Sequence, residues 1–103
     1  MLIAKEDQKL ELEFRRLADA WKLETRHLSR IDHVCANSNY LQIIGMGMDA
    51  LPLILRELEA EIDYWFVALS AIARTSPAPD AESMTPKQMA EAWLRWGREH
   101  GFI

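Results

Sequence analysis

The chain has little of what defines several common classes of protein. It has one cysteine among 103 residues, which excludes an internal disulfide and a zinc site built from several cysteines. An uncharged stretch over residues 34–48 is too short and too polar to cross a bilayer, which needs about 20 apolar residues. Charged residues begin at Lys5, so the start of the sequence has no apolar region of the signal-peptide kind. We therefore expect a cytoplasmic protein with no membrane partner.

Motifs that carry chemistry are equally scarce. Gly45-Met46-Gly47 is not followed by Lys and Ser or Thr, so we interpret it as a helix stop and not as a phosphate-binding loop. Four possible metal ligands lie within nine residues: His27, Asp32, His33 and Cys35. On a helix Asp32 and His33 point about 100° apart, and His33 cannot face Cys35 as a general base. We therefore predict no enzyme, no catalytic residue, no metal, no cofactor and no small-molecule ligand.

Charge is distributed unevenly along the chain. The net charge is −4, and residues 31–64 alone carry −5, with Arg56 as their only basic residue. Such an acidic region suits a basic protein partner, or it is a solvated face that maintains solubility. The alternative of a nucleic-acid-binding regulator depends on six of the seven basic residues in the first 30 positions: Lys9, Arg15, Arg16, Lys22, Arg26 and Arg30. These are interleaved with acidic residues, and no helix-turn-helix pattern follows, so nucleic acid is the less favoured partner.

The hydrophobic pattern is helical throughout and predicts an all-α fold. We find neither strand alternation nor a hairpin turn, and we expect a single domain over residues 1–103 with about five helices. The first helix is predicted over 5–27, because apolar residues recur along it at helical spacing and form one stripe. These residues are Leu10, Phe14, Leu17, Trp21 and Leu28.

Capping patterns place the remaining helices. Two short helices are predicted over 30–36 and 38–45, the first capped by Ser29 with Asp32 and the second starting near Asn37. A helical hairpin is predicted over 49–73, with Asp49 as its N-cap and Pro52 in its first turn. The only long loop follows at 75–83, and Thr85 with Pro86 and Gln88 opens a last helix over 86–98.

We expect one hydrophobic core around the hairpin and the last helix. Its members are Leu51, Leu55, Leu58, Phe66, Leu69, Ile72 and Trp93. Trp65, Trp93 and Trp96 are expected to fill the space between the last helix and the second helix of the hairpin. Trp96, beside Gly97 near the helix end, is the one that we expect to be partly exposed.

Several strings along the chain occur together in a recurrent pattern: Trp21-Lys-Leu-Glu24-Thr25, Leu28-Ser29, Tyr40-Leu-Gln-Ile-Ile-Gly45-Met-Gly47, Leu51-Pro-Leu-Ile-Leu-Arg-Glu-Leu58, Trp65-Phe66 with Ala68-Leu69, Pro77 with Pro79, and Ala92-Trp93-Leu94 with Trp96-Gly97. Over residues 14–102 the chain resembles a family of short, uncharacterised bacterial proteins, a resemblance that implies no activity. Arg74 stands where that family usually has a helix-ending glycine. Residues 49–73 also resemble a HEAT-like helical hairpin, with Pro52 early in the first helix.

These observations favour a non-catalytic protein–protein interaction module, such as a regulatory, antitoxin-like or accessory subunit of a bacterial system. The first helix extends beyond what a hairpin core could cover, so its apolar stripe would be free to bind another chain, either a second copy or a different protein. The predicted partner-binding residues are Leu10, Phe14, Leu17 and Trp96. If the helix instead folds back, Phe14 would complete the core of its own chain.

Overall fold

The computed structural model describes residues 5–77 and 83–103. The fold is all-α, with six α-helices and no strand in these ranges. Residues 1–4 and 78–82, which include Pro79 of the predicted loop, lie outside the described residues. The described helices are α1 (Lys5–Thr25), α2 (Ile31–Cys35), α3 (Ser38–Gly45), α4 (Leu51–Ala60), α5 (Phe66–Ala73) and α6 (Pro86–Glu99), with a 3-10 turn over Gly47–Ala50.

Helix α1 buries one face of its C-terminal two thirds. The buried residues are Phe14, Leu17, Ala18, Trp21 and Thr25, which recur at spacings of three and four. The helix ends two residues earlier than predicted, where the Thr25 hydroxyl donates a hydrogen bond to the Trp21 carbonyl (2.7 Å). Before Phe14 every side chain of α1 except Leu10 is exposed. The first turns of α1 therefore extend beyond the core, as the hydrophobic pattern predicted.

The two short helices begin by different means. Asn37 caps α3, since its side-chain oxygen accepts a hydrogen bond from the Asn39 N–H (2.9 Å), as predicted. The predicted cap of α2 is wrong. Its N-cap is Arg30, which makes no side-chain capping bond, and the carboxylate of Asp32 instead pairs with the Arg30 guanidinium (2.7 Å). A local ion pair thus replaces the Ser29 capping box.

Gly47 separates α3 from α4. Its φ of +68° lies in the left-handed region that favours glycine, and the chain then makes a 3-10 turn. The prediction of Asp49 as N-cap is wrong, because Asp49 lies inside this turn and α4 starts after Ala50 without a side-chain cap. Pro52 lies in the first turn of α4, as predicted, where its missing N–H leaves no helical bond unmade.

Helix α5 ends at Arg74, whose φ of 58° and ψ of 34° are those of a left-handed C-cap. This is the conformation for which glycine is the usual residue, so the chain keeps the turn while carrying a side chain there. The main neighbours of the two hairpin helices differ, since α4 packs chiefly on α6 and α5 on α3. The HEAT-like pairing is therefore not confirmed.

Helix α6 begins with the predicted capping box. The Gln88 N–H donates to the Thr85 hydroxyl (3.1 Å), and the Thr85 N–H donates to the Gln88 side-chain oxygen (2.9 Å). Helix α6 lies close against α4 at Gly97, where an added Cβ would come within 2.7 Å of the Leu55 side chain. A glycine at position 97 therefore permits this close approach.

The core extends further than the hairpin. We name as the inner cluster four aromatic residues that α1, α3 and the start of α5 bring together: Phe14, Trp21, Tyr40 and Trp65. Trp65 packs here, against α1 and α3, and so the prediction that it fills the space beside α6 is wrong. Phe66, predicted to be fully buried, is only partly buried against the core. The other six predicted core residues are buried.

Candidate protein-interaction surface

The stripe that was predicted to bind a partner is mostly inside the protein. Phe14 is 4% exposed and Leu17 1% exposed, and Phe14 packs on Trp65 with ring centroids 5.7 Å apart. Their prediction as exposed interface residues is therefore wrong. The reason is that α3 and the Trp65 side chain, just before α5, cover this face of α1. A prediction based on the hairpin and the last helix alone did not include these contacts. Leu10 is half-buried beside α4, at the edge of a cleft that Pro52 and Leu53 also line.

Trp96 is partly buried, as predicted, and belongs to a second aromatic group. We name this group the terminal cluster: Trp93, Trp96, His100 and Phe102. The Trp96 ring stacks on His100 (4.5 Å between centroids) and on Phe102 (5.4 Å), and it meets Trp93 edge-on. Most of the surface that Trp96 could offer a partner is therefore used by its own chain.

Several exposed apolar side chains lie together at another place, which the sequence did not predict. An open groove of about 300 Å³ lies between α2, the start of α5 and the start of α6. We name it the α2–α5–α6 groove, and its lining residues are Ile31, Cys35, Tyr64, Phe66, Val67, Met84, Pro86 and Met89. None of them is charged. Ile31 is 50% exposed, Val67 47% and Tyr64 39%, so three large apolar side chains meet the solvent together.

The floor of the groove is held by a polar contact beneath it. The Tyr40 hydroxyl donates a hydrogen bond to the Tyr64 carbonyl (2.8 Å) and accepts one from the Ala68 N–H (2.9 Å). Burial raises the pKa of Tyr40 above its ordinary range, so the hydroxyl stays protonated and remains a donor. The contact therefore positions Tyr64 and the first turn of α5, which both line the groove.

Cys35 lies in this floor and is 9% exposed. Burial, the largest effect, raises the pKa of its thiol. A hydrogen bond with Tyr40 lowers it and the nearby carboxylate of Asp63 raises it, so that the net shift is upward. A cysteine nucleophile needs the opposite shift, since the thiolate is the reactive form. Cys35 is thus placed as a small apolar lining residue. Among residues 5–77 and 83–103, no three His, Cys, Asp or Glu side chains lie together where they could hold a metal ion.

Two carboxylates lie on the turn that leads into the groove. Glu61 is exposed and Asp63 half-buried, and the Asp63 side chain accepts a hydrogen bond from the Tyr64 N–H (2.8 Å). Two acidic residues of α4, Glu57 and Glu59, bind arginine side chains. In the described ranges neither Glu61 nor Asp63 has an ion-pair partner. This edge of the groove therefore carries negative charge that no ion pair among the described residues neutralises.

The basic residues of the nucleic-acid hypothesis are largely engaged with carboxylates. Four of the six form ion pairs: Arg15 and Lys22 with Glu57, Arg16 with Glu13, and Arg30 with Asp32. The carboxylates beside these basic side chains would repel a phosphate backbone. The arrangement disfavours nucleic acid as the partner.

Comparisons with protein-family models, with curated proteins and with solved structures find no match to this chain. Within the described residues, no helix has the length and apolar character that crossing a membrane requires.

Proposed function

We propose that this chain is a non-catalytic protein–protein interaction module, and that a partner docks in the α2–α5–α6 groove. The observation that carries the proposal is the convergence of Ile31, Tyr64 and Val67, all substantially exposed, on one groove whose lining has no charge. Isolated exposed apolar residues are common on proteins, whereas a continuous patch marks an interaction site.

The chemistry of the groove favours an amphipathic helix with a basic residue as the partner element. Met84 and Met89 line the groove, and methionine adapts its shape to different apolar side chains. Glu61 and Asp63 at the edge would pair with a Lys or Arg of the partner, placed beside its apolar face. A partner with acidic residues at that position would be repelled.

A module of this kind acts by changing what its partner does. We therefore extend the proposal to a regulatory, antitoxin-like or accessory subunit of a bacterial system, located in the cytoplasm. The acidic region that includes Glu61 and Asp63 supports this extension, because it suits a basic protein partner.

Site-specific photocrosslinking in the native host tests the proposal. A photoreactive amino acid at position 67 lies in the groove, and one at position 41 is the matched control, since Leu41 is 54% exposed on α3 and does not line the groove. We expect one discrete covalent adduct from position 67 and none from position 41. Equal adducts at both positions, or none from position 67, would contradict the proposal.

The partner identified in this way allows a direct affinity measurement with purified proteins. Val67→Asp should weaken binding about tenfold or more, because it places an uncompensated charge in an apolar contact. Leu41→Asp should leave the affinity unchanged. Circular dichroism must show that both variants keep their helicity.

A further inference from the structure

The outward face of α1 carries the two most exposed large apolar side chains described for this chain. Leu12 is 72% exposed and Leu23 61% exposed. They lie eleven residues apart, which is close to three helical turns, so both project from the same side of α1. This side is opposite the buried stripe that contains Phe14 and Trp21. We name it the outer face.

Two charged residues of opposite sign lie between these leucines on the outer face. Arg16 is four residues after Leu12, and Asp19 is four residues before Leu23. Their side chains are 62% and 66% exposed. The order along the outer face is thus apolar, positive, negative, apolar.

When this order is placed opposite its own reverse, each leucine meets a leucine and each charge meets the opposite charge. When a second α1 is laid antiparallel across the first, with the twofold axis between residues 17 and 18, Leu12 faces Leu23 of the second copy. Arg16 then faces Asp19 of the second copy, and symmetry repeats both contacts. A parallel arrangement in register would instead place Arg16 against Arg16 and Asp19 against Asp19. Charge complementarity therefore selects a second copy in the antiparallel orientation.

We propose that two copies of this chain associate through the outer faces of their α1 helices, packed antiparallel about that axis. The proposal concerns a different surface from the α2–α5–α6 groove and does not depend on the groove's function. Within one chain Arg16 pairs with Glu13 and Asp19 with Arg15. Exposed ion pairs of this kind contribute little to stability. They can therefore be exchanged for pairs across the seam, which is the contact between the two α1 helices.

The expected association is weak. Each copy contributes only two leucines to a single helix–helix contact, which places the interface in the small, transient class. The same antiparallel packing places Lys9 beside Arg26 of the second copy. Repulsion between these two positive charges further limits the affinity. The dimer should therefore form reversibly as the protein concentration rises toward the millimolar range.

Sedimentation equilibrium over a concentration series measures this association. Leu12→Glu and Leu23→Glu should each weaken it about tenfold or more, because a carboxylate would enter the apolar contact. Leu41→Glu, on the exposed side of α3, is the matched control and should leave it unchanged. Circular dichroism checks that the variants stay folded. A wild-type chain that is monomeric at millimolar concentration would overturn the proposal.

Cysteine crosslinking tests the register. In a Cys35→Ala background, Leu12→Cys and Leu23→Cys are prepared as separate proteins and oxidised alone or mixed. We expect a disulfide dimer only in the mixture, since residue 12 faces residue 23 of the second copy, whereas two residues 12 lie about 16 Å apart along the seam. Disulfide dimers in the single-variant samples, or none in the mixture, would overturn the antiparallel arrangement.

Charge reversal provides a third readout. Arg16→Asp should weaken the association, because two negative charges then face each other across the seam. Arg16→Asp combined with Asp19→Arg should restore it, since the complementary order is regained with opposite sign. Failure of the double variant to recover would show that these charges do not meet.

Discussion

The two aromatic clusters show how the same residue types serve different purposes in one small chain. The inner cluster joins residues that lie up to 51 positions apart, and each of its four side chains is at most 4% exposed. The terminal cluster is assembled within ten positions, and only Trp93 among its members is fully buried. The inner cluster therefore forms only when α1, α3 and the start of α5 come together, whereas the terminal cluster is assembled locally at one end of α6.

Hydrogen bonding differs between the clusters as well. In the inner cluster the Trp21 indole N–H donates to the Val34 carbonyl (2.9 Å), and the Tyr40 hydroxyl both donates and accepts. The Trp65 indole N–H is buried with no hydrogen-bond partner among the described residues, which reduces the stabilisation that its burial provides. In the terminal cluster the polar contact is between the exposed His100 ring and the Trp96 carbonyl (2.8 Å).

The largest effect should come from placing a charge in the inner cluster. Phe14→Glu would bury a carboxylate against Trp65, and the nearest guanidinium, that of Arg15, is already paired with Glu57 and Asp19. The loss should approach the whole stability of about 5–15 kcal/mol that is typical of a domain. We expect loss of helicity by circular dichroism at 25 °C.

Leu12→Glu is the matched control for this experiment, because it makes a similar change only two residues away on the exposed side of α1. Its helicity should equal that of the wild type. A folded Phe14→Glu protein would mean that α1 does not pack on α3 and Trp65 as described.

Truncation of one tryptophan in each cluster compares the clusters directly. Trp65→Ala should destabilise the protein by about 3–5 kcal/mol, through lost burial and the cavity that remains. Trp96→Ala should cost about 1–2 kcal/mol, since the side chain is already partly in water. Urea unfolding followed by circular dichroism measures both. Equal losses would show that the terminal cluster is as important to the fold as the inner cluster.

Local signals in the sequence predicted several helix boundaries correctly. The starts of α3 and α6 followed from Asn37 and from the Thr85 capping box, because a cap uses only residues within one turn of the chain. Ser29 and Asp49 were assigned by the same rule and were wrong. The cap pattern cannot indicate that Asp32 binds Arg30 instead, or that a 3-10 turn precedes α4.

The candidate surface was much less predictable. The stripe on α1 was identified correctly as one helix face, but its direction depends on Tyr40 and Trp65, which are distant in sequence. The groove likewise takes its lining from α2, α5 and α6, and each contributes only a few residues. No single segment carries a pattern that distinguishes them from ordinary surface residues, so only the tertiary structure brings them together.

A single hydroxyl tests how much the inner cluster depends on its hydrogen bonds. Tyr40→Phe keeps the ring but leaves the Tyr64 carbonyl and the Ala68 N–H without this partner. We expect a loss of about 1–3 kcal/mol, which lowers the Tm by roughly 4–8 °C for each kcal/mol in a chain of this size. Differential scanning calorimetry measures the shift, and a Tm within 2 °C or so of the wild type would contradict the contact.

The smallest expected effect comes from the ion pairs of Glu57, which connect α4 with α1. Glu57 of α4, the helix that packs on α6, binds Arg15 of α1 through two hydrogen bonds (2.7 and 2.9 Å) and also contacts Lys22. The hydrogen bonds from Arg15, the largest effect, lower the pKa of Glu57 below its ordinary value of 4.5. The folded state therefore binds a proton at Glu57 less readily than the unfolded state does.

A group with a lowered pKa stabilises the fold above its unfolded pKa, and this contribution is lost as the pH falls through its folded pKa. Glu57→Gln should thus cost about 1 kcal/mol at pH 7, and the difference from wild type should disappear in strongly acidic solution. Glu59→Gln is the matched control, because the pair that it breaks, with Arg98, is exposed, so the loss of stability at pH 7 should be smaller. Urea unfolding of the three proteins from pH 7 down to pH 3 decides the matter. If Glu57→Gln lowers the free energy of unfolding by the same amount at every pH in this range, the charge of Glu57 does not stabilise the packing of α1 on α4.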